Sequence, residues 1–444
     1  MERLLSNEVK EIFQILQENG HQVYLVGGIV RDYFLNRENY DFDMATSATP
    51  TEMISLLKHF DLDAIDSRFG TIRIKVAGKN DIEITTFRME EYEDETRYPT
   101  KIDFVNDILI DLKRRDFTMN ALAWNHKGLI DCFHGLEDIR QSCIKTIGVP
   151  TKRFLEDPLR MLRAIRFSAQ LDFRIDEDSY QAIVENAYLI SRLSMESMRN
   201  EFVKILISNN PNYAIKCLFD SNIVEYIFFD SDIEWDRIYL QIRENNCKIL
   251  FLLQRLSRLP CQLEVRLSAF LYHLFSCSLE SKKEVAGKLI SIEQLSEKLL
   301  KRLKFSKRMI SRVCNIIKYY PIEEYISAQT NINRLICAAG EDCWKNIMDI
   351  RIQYFSYLGV QDGCYEILDR IRKRMKENSI IHKKQLCVTG NDMISLGYKG
   401  KEIGKIIDVL YDAVIEGNLK NTRVSLMKRA ADMMSSIKAD FTEE

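Results

Sequence analysis

The sequence predicts an α+β protein, with an N-terminal α/β head followed by an all-helical neck, body and tail. The glycines indicate this division: eight of the 17 lie from Gly20 to Gly148, and the other nine lie from Gly287 onwards. Short runs rich in β-branched and aromatic residues alternate with helical patterns only in the first part. After Phe154 the apolar residues recur at helical spacing, and no proline follows Pro321.

The head, residues 1–145, is predicted from three β-rich runs that turn residues bound on both sides. These runs are residues 23–27 (VYLVG), 71–76 (TIRIKV) and 81–87 (DIEITTF). Helical patterns lie between them, so we expect strands and helices to alternate in this part of the chain.

The helical half is divided into a neck over residues 146–205, a body over 206–320 and a tail over 321–444. Leucine, isoleucine and phenylalanine at helical spacing are expected to form its core. Two basic clusters, residues 301–308 and 370–374, fit either solvated helix faces or contacts with a polyanion.

The composition excludes several classes of protein. With 46% hydrophobic and 29% charged residues it is typical of a soluble protein, and no apolar run approaches the roughly 20 residues of a membrane span. We expect no membrane anchoring and, because the first residues lack a secretory pattern, a cytoplasmic location. The 11 cysteines include no CxxC pair, which argues against a zinc site or a disulfide framework. A net charge of −2 neither indicates nor excludes a nucleic-acid partner.

A candidate metal site follows the first predicted strand, which ends at Gly27. About ten residues after the next helix begins, Asp41 and Asp43 flank Phe42. Alternation along a strand puts both carboxylates on one side and Phe42 on the other. Two carboxylates so placed can bind hard cations that also bind substrate phosphates, as two-metal phosphoryl transfer requires. We therefore expect Asp41 and Asp43 to be catalytic ligands of Mg²⁺, although a DxD alone also fits a solvated acidic turn.

The Gly-Gly turn before the two aspartates favours the catalytic interpretation. Glycine at Gly28 lets backbone N–H groups approach a triphosphate, and Arg31 supplies a charge-assisted donor nearby. A Gly-Gly turn, a DxD and an acidic residue on a later strand, here Glu83, together resemble the DNA polymerase β nucleotidyltransferase superfamily. Glu83 is either a third carboxylate on the metal side or an exposed strand residue.

Further blocks resemble one family within that superfamily. Residues 114–121 (RRDFTMNA) resemble the RRDFTxNA block of class II tRNA nucleotidyltransferases, which include CCA-adding enzymes and bacterial poly(A) polymerases. Residues 153–167 (RFLEDPLRMLRAIRF) are similar to the family's EDxxR helix, and 194–206 (SMESMRNEFVKIL) extend the likeness through the neck. The blocks stand in the family's order, which makes the resemblance specific.

Two blocks depart from the family pattern at turns. Residues 131–136 (DCFHGL) are similar to a DPFGG-like turn, with Cys132 for the usual proline and His134 for the first glycine. Residues 388–404 are similar to the tail signature, with Lys399 where proline is common. These departures concern turn geometry more than chemistry.

Asp157 and Arg160 form a candidate base-selecting pair. Pro158 suits the first turn of a helix, and we expect the two residues, at i and i+3, to share one helix face. Asp157 can accept from the exocyclic amino group of cytosine or adenine, while Arg160 can donate to the neighbouring ring acceptor. Uracil and guanine present the opposite pattern, so the pair could select C and A without a template. The resemblance implies this use.

The resemblance also implies that Arg115, Arg163 and Arg166 contribute to nucleotide or triphosphate binding. Without the surrounding blocks, the arginines from Arg160 onwards would fit an ordinary basic helix. Arg166 lies nine residues after Asp157, which turns it about half a turn away.

The function implied by the resemblance is template-independent addition of C, C and A, from CTP and ATP, to the tRNA 3′ end. The neck would select the nucleotide, and body and tail would bind tRNA. The loop of residues 88–99 has the full length that CC-adding enzymes typically lack.

Three alternatives remain open. An A-adding enzyme or a poly(A) polymerase shares the catalytic blocks, although the basic tail of some poly(A) polymerases is not evident. A catalytically idle tRNA-binding protein would need none of Asp41, Asp43, Arg115 or Arg160. A small-molecule nucleotidyltransferase would not need the long helical half. The sequence predicts no particular oligomeric state.

Overall fold

The computed structural model divides the chain into two compact units, Met1–Ser257 with Arg302–Lys304, and Arg258–Lys301 with Phe305–Glu444. The structure describes residues 1, 5–76, 80–92, 99–228, 244, 253, 255–279, 291–321, 332–358, 369–373 and 383–440. In these residues, no helix is long and apolar enough to span a membrane. Eight cysteines among the described residues are free thiols.

The first unit contains eleven strands among its described residues. They are β1 (Val23–Val26), β2 (Phe42–Thr46), β3 (Asp61–Asp66), β4 (Thr71–Lys75), β5 (Ile82–Thr86), β6 (Arg88–Glu91), β7 (Lys101–Phe104), β8 (Ala123–Asn125), β9 (Gly128–Ile130), β10 (Cys143–Ile144) and β11 (Arg174–Ile175). Seven of them form one mixed sheet in the order β3-β4-β5-β2-β1-β8-β9, and β6 and β7 form a separate hairpin. Only β2 and β5 pair in parallel within the large sheet.

The helices of this unit surround the sheet and then form the neck. They are α1 (Asn7–Glu18), α2 (Gly28–Phe34), α3 (Pro50–Leu56), α4 (Ile108–Lys113), α5 (Gly135–Arg140), α6 (Pro150–Glu156), α7 (Leu159–Leu171), α8 (Glu177–Glu185), α9 (Met195–Leu206), α10 (Asn212–Asp220) and α11 (Ile223–Phe228).

Local sequence accounts for these elements. Helix α1 buries Val9, Ile12, Phe13 and Leu16, a set of residues at helical spacing that forms one face. Strand β5 shows the alternation of a half-buried strand, with every second residue buried. Helix α3 begins with a capping box, in which Thr49 and the third residue of the helix satisfy each other's backbone donors.

In the turn of residues 131–136, one of the two departures from the family pattern lies at a residue with a left-handed backbone conformation. His134 has φ of 59°, a left-handed conformation that glycine adopts without strain. Gly135 must remain glycine, because an added Cβ would lie 2.3 Å from the Thr118 carbonyl oxygen. The Asp131 carboxylate accepts from the backbone N–H groups of Gly135 at 2.7 Å and Leu136 at 2.9 Å. The turn therefore packs against the RRDFT block.

The second unit is helical throughout its described residues. Its helices are α12 (Leu263–Leu279), α13 (Ile292–Arg302), α14 (Lys307–Tyr319), α15 (Ile332–Ala339), α16 (Glu341–Leu358), α17 (Gly390–Ser395), α18 (Lys401–Ile415) and α19 (Arg423–Asp440). The tail signature forms α17 and the start of α18, joined by a turn in which Gly400 has φ of 51°. Met393, Leu410 and Leu426 are buried together in the core of this last part.

The α+β prediction is confirmed, with one correction in the neck. Strand β11 lies after Phe154, where we expected only helices, and it pairs in parallel with β10. Asp172 ends α7 in a left-handed conformation with φ of 60°, which turns the chain back towards β10. A two-residue strand is too short to produce a recognisable alternation in the sequence.

Candidate active site

The turn between β1 and α2 forms one wall of the site. Gly27 has φ of 71°, and a Cβ at this position would lie 3.3 Å from Arg115 Nη1 and 3.9 Å from Asp43 Oδ2. A Cβ added at Gly28 would lie 3.6 Å from Arg31 Nη2. The absence of side chains at both glycines therefore leaves the backbone open towards a carboxylate and two arginines.

Asp43 is the second residue of β2, and Asp41 immediately precedes the strand. Phe42 between them is buried at 7% exposure, as the alternation predicts. The Asn80 side chain donates a hydrogen bond of 2.6 Å to Asp41 Oδ1 and so fixes that carboxylate. Both aspartates line the same pocket.

The pKa of Asp43 is raised from its ordinary value to about 6. Removal from bulk water is the main cause, and the negative charges of Glu83 and Asp41 add to it, while Arg115 opposes it. A carboxylate crowded by other carboxylates gains from a bound cation, because the cation relieves their repulsion. The electrostatics and the oxygen donors therefore fit a divalent metal.

Glu83 lies beside Asp43 in the parallel pairing of β2 and β5. Its carboxylate is bound to Arg73 Nη2 on the neighbouring strand at 2.6 Å. Among the described residues, no three histidine, cysteine, aspartate or glutamate side chains are grouped so as to hold a metal. The contact with Arg73 and a side chain that is 42% exposed favour the second interpretation of Glu83, as an exposed strand residue.

Arg114, Arg115 and Asp116 of the RRDFT block line the same pocket as Asp41 and Asp43. Asp111, fully buried on α4, accepts from Arg114 Nε at 2.8 Å and from Arg115 Nη2 at 3.1 Å. Asp116 accepts from Asn120 Nδ2 at 3.0 Å and from Arg163 Nε at 2.7 Å. Burial alone would raise the pKa of Asp116, but Arg163 and Asn120 hold it well below its usual range.

The expectation that Asp157 and Arg160 share a helix face is wrong in one respect. Asp157 is not helical: it ends α6 with φ of −146° and ψ of 101°, and Pro158 caps α7. The cause is Pro158, because the residue before a proline avoids the right-handed helical region. Asp157 Oδ1 instead accepts from the backbone N–H of Leu159 at 3.0 Å. Both Asp157 and Arg160 nevertheless line the pocket.

Arg160 is 6% exposed, and protein acceptors fix its guanidinium. Nη1 lies 2.9 Å from Glu156 Oε2 and 3.2 Å from the Arg153 carbonyl, and Nη2 lies 3.3 Å from the Arg114 carbonyl. The sequence interpretation missed Glu156, the last residue of α6, although it precedes Arg160 by only four residues.

Arg153 joins the neck to the backbone of the head. Its Nη2 donates to the carbonyl oxygens of Arg114 at 2.6 Å and Arg115 at 2.5 Å, and its Nη1 pairs with Glu156. The chain segment that carries Asp157 and Arg160 is therefore hydrogen-bonded to the main chain of the RRDFT block.

Three further arginines line the pocket, each paired with its own carboxylate. Arg31 pairs with Asp32 at 2.8 Å, Arg163 with Asp116 at 2.6 Å, and Arg166 with Glu201 of α9 at 2.9 Å. Burial lowers the pKa of Arg166 to about 10, a fall that Glu201 limits, so this guanidinium stays charged at neutral pH. The sequence interpretation missed Asp32, although it directly follows Arg31. It also missed Glu201, which only the fold brings to Arg166.

Strand β6 and the residue that follows it contribute Arg88, Glu90 and Tyr92 to the pocket lining. Glu90 accepts from Arg88 Nε at 2.7 Å, Arg114 Nη1 at 3.1 Å and the Tyr92 hydroxyl at 2.7 Å. The Tyr92 ring centre lies 6.0 Å from Arg160 Cζ. Residues 88–91 of the expected loop form strand β6, and residues 93–98 of it lie outside the described residues.

The Gly-Gly turn, the two aspartates, the RRDFT block, β6 and α7 contribute lining residues to one pocket of about 790 Å³, a volume typical of small-ligand sites. Glu83 is not among the lining residues, whereas the other residues that the sequence singles out for the site are: Gly28, Arg31, Asp41, Asp43, Arg115, Asp157, Arg160, Arg163 and Arg166. The pocket can therefore hold a hard cation, several phosphate groups and a planar base at the same time.

Family models match three parts of the chain. The "Poly A polymerase head domain" matches residues 23–145, the "Probable RNA and SrmB- binding site of polymerase A" matches 172–232, and "tRNA nucleotidyltransferase domain 2 putative" matches 278–430.

Whole-length relatives and solved structures agree with these matches. The CCA-adding enzyme of Lactobacillus helveticus is 32% identical over 427 residues, covering 95% of this chain and 96% of the relative. That of Enterococcus faecalis is 30% identical over 439 residues, covering 97% and 98%. The crystal structure of the Bacillus stearothermophilus CCA-adding enzyme in complex with CTP has a TM-score of 0.75 at 25% identity, covering 98% of this chain and 100% of that one.

A second solved structure is similar in fold. The Thermotoga maritima CCA-adding enzyme complexed with tRNA_CCA has a TM-score of 0.60 at 23% identity, and the match covers 98% of each chain. The resemblance to class II tRNA nucleotidyltransferases is thus confirmed over nearly the whole length. The shared blocks, the pocket that they form and the full-length relatives together establish that this chain is a nucleotidyltransferase of the CCA-adding enzyme family.

Proposed function

We propose that this chain adds C, C and A, from CTP and ATP, to the 3′ end of tRNA without a nucleic-acid template. The observation that carries the proposal is that one pocket joins the carboxylates Asp41 and Asp43 to the base-selecting groups Asp157 and Arg160. Binding alone would need neither pair. The full-length relatives named as CCA-adding enzymes support the same activity.

Base selection is assigned to Asp157 and Arg160. The Arg160 guanidinium is oriented by three protein acceptors, while its Nε–H group donates to no other described residue. A fixed donor beside a carboxylate acceptor demands an amino group next to a ring acceptor on the base. Cytosine and adenine both present that edge.

The metal is proposed to be Mg²⁺, held by Asp41 and Asp43. Enzymes of this family generally use divalent metal ions. Two carboxylates suit Mg²⁺, which completes its shell with water and substrate phosphates. When bound, such ions activate the terminal 3′-hydroxyl and stabilise charge on the phosphoryl group and on pyrophosphate. Asn80 orients the Asp41 carboxylate for this task.

Phosphate binding is assigned to the Gly28 backbone and to arginines in the lining, which are Arg31, Arg115, Arg163 and Arg166. Guanidinium groups suit phosphate because they donate several charge-assisted hydrogen bonds in a fixed plane. The carboxylate partner of each of Arg31, Arg163 and Arg166 keeps the unliganded pocket from carrying unpaired buried charge.

Each of the four parts of the chain is assigned one step of the proposed activity. Residues 1–145 would catalyse transfer and 146–205 would select the nucleotide, while the body over 206–320 and the tail over 321–444 would bind tRNA. Exposed lysine and arginine side chains in the cluster 301–308 support contacts with phosphates.

The test is incubation with tRNA that lacks its 3′ CCA, using each nucleotide alone and both together. We expect two additions with CTP alone, three with CTP and ATP, and none with ATP alone. Addition of a single A only to tRNA ending in CC would instead identify an A-adding enzyme, and long A tails a poly(A) polymerase. Tight tRNA binding without any product would identify an idle binding protein, and Asp43→Asn supplies the inactive control.

A further inference from the structure

Phe167 lies beneath three guanidinium groups of the pocket. The centre of its ring is 4.1 Å from Arg166 Cζ, 5.2 Å from Arg31 Cζ and 5.4 Å from Arg163 Cζ. All three distances are within the range of cation–π attraction. Phe167 also lines the pocket, although it is only 7% exposed.

The three arginines come from different parts of the first unit and would repel one another. Arg31 belongs to α2, whereas Arg163 and Arg166 belong to α7. Each guanidinium is paired with one carboxylate, which offsets part of its charge. Asn120 accepts a hydrogen bond of 2.8 Å from Arg31 and donates one of 3.0 Å to Asp116. The ring of Phe167 is the element that all three guanidiniums share.

The position of the ring is itself fixed. Phe167 packs edge to face against Phe117 of the RRDFT block, with ring centres 5.8 Å apart. Phe117 is fully buried, so the ring has a rigid support. An aliphatic side chain would fill the same space but would lack the negative π face that attracts cations.

We propose that Phe167 is a positioning residue that gathers Arg31, Arg163 and Arg166 into one site for the triphosphate of the incoming nucleotide. The inference rests on the proposed function, because it takes the nucleoside triphosphate as ligand. The Arg163 side chain is about a third exposed, at 34%, and its Nη1 group has no protein partner among the described residues. Such a donor is available to phosphate oxygens.

The ring should therefore act on the phosphates and not on the base. Replacing it with leucine should weaken CTP and ATP equally, since both carry the same triphosphate. The preference for CTP over UTP depends on Asp157 and Arg160 and should stay unchanged. A purely structural role would instead lower stability and turnover without distinguishing a triphosphate from a monophosphate.

The experiment compares Phe167→Leu with wild type and with Phe219→Leu in the full chain. Phe219, on α10, is buried to a similar degree at 6% exposure and has no ring or cation contact among the described residues, so it matches the loss of an aromatic side chain. Calorimetry measures binding of inorganic tripolyphosphate, CTP and CMP, and steady-state assays give KM and kcat. We expect Phe167→Leu to weaken tripolyphosphate and CTP about tenfold and CMP much less, with kcat nearly unchanged.

A second variant separates the effect of the ring's charge from an effect on folding. Pentafluorophenylalanine at position 167 keeps the shape of the ring but reverses the charge of its face, and should weaken tripolyphosphate at least as much. Wild-type affinity in this variant, or an equal loss in Phe219→Leu, would overturn the proposal. Because tripolyphosphate binding is measured without turnover, failure of wild type to add CTP would refute the proposed function separately.

Discussion

Replacing Arg160 by alanine should relax the choice of base while leaving the carboxylates of Asp41 and Asp43 in place. In the folded protein the guanidinium is held by Glu156 at 2.9 Å and by the carbonyls of Arg153 and Arg114 at 3.2 and 3.3 Å. These hydrogen bonds aim the side chain before any nucleotide arrives, so little entropy is lost when a base binds.

The magnitude follows from the one hydrogen bond to the base that the substitution removes. A charge-assisted hydrogen bond to the ring acceptor is worth about 1.5–3 kcal/mol, or roughly ten- to a hundredfold. Uracil and guanine never make this hydrogen bond, so its removal affects CTP and ATP alone. Discrimination against UTP and GTP should therefore fall by the same factor, while the triphosphate still anchors the nucleotide.

The assay is steady-state incorporation of all four nucleotides into tRNA that lacks CCA. Arg160→Lys keeps the charge but not the planar donor fork, and should recover little selectivity. Arg192→Ala removes an exposed arginine of the neck and serves as the control that should leave all four rates unchanged. Thermal unfolding checks the fold, in which Glu156 retains its pair with Arg153.

The reasoning fails if Arg160→Ala retains the wild-type order and ratios of the four nucleotides. That result would mean that Arg160 only joins Glu156 to the backbone of Arg114, and that other groups choose the base.

Three more predictions concern the carboxylates and the hairpin. Asp41→Asn or Asp43→Asn should abolish addition of both CTP and ATP with tRNA binding retained; near-normal addition of either nucleotide would exclude this metal site. Shortening the loop from Glu90 to Pro99 should impair addition of the final A more than addition of the two Cs, and equal losses in single-nucleotide assays would contradict it. The pKa of Asp43 is about 6 when folded and near 3.8 when unfolded, so the folded protein binds this proton more tightly. The resulting contribution to the free energy of unfolding is present below pH 3.8 and is lost as the pH rises through 6. In metal-free protein Asp43→Asn should therefore raise Tm at pH 7 more than at pH 4, and equal shifts at both pH values would argue against the raised pKa.

The sequence was sufficient where chemistry depends on local spacing. Asp41 and Asp43 are separated by one strand residue, and their shared side follows from alternation alone. The turn at Gly27 and Gly28 could also be predicted from the sequence, because Gly27 adopts a positive φ that few other residues tolerate.

The sequence was insufficient where partners meet through the fold. Nothing near Arg166 in the chain identifies Glu201 as its partner, since the ion pair arises from the packing of α7 against α9. The same holds for Phe167, whose sequence context indicates only a core residue. The bend at Asp157 was different, because the effect of Pro158 on its predecessor is local and could have been applied to the sequence.

The hydrogen bonds of Arg153 have a consequence for how the enzyme can vary. Its Nη2 donates to the carbonyl oxygens of Arg114 and Arg115, and Arg160 reaches the first of these too. A peptide carbonyl is present whatever side chain a residue carries. Substitution of Arg114 or Arg115 therefore cannot remove the oxygens that accept these hydrogen bonds. Chimeras that exchange heads between relatives should therefore keep the joint, whereas loss of the single guanidinium at Arg153 should loosen it in every background.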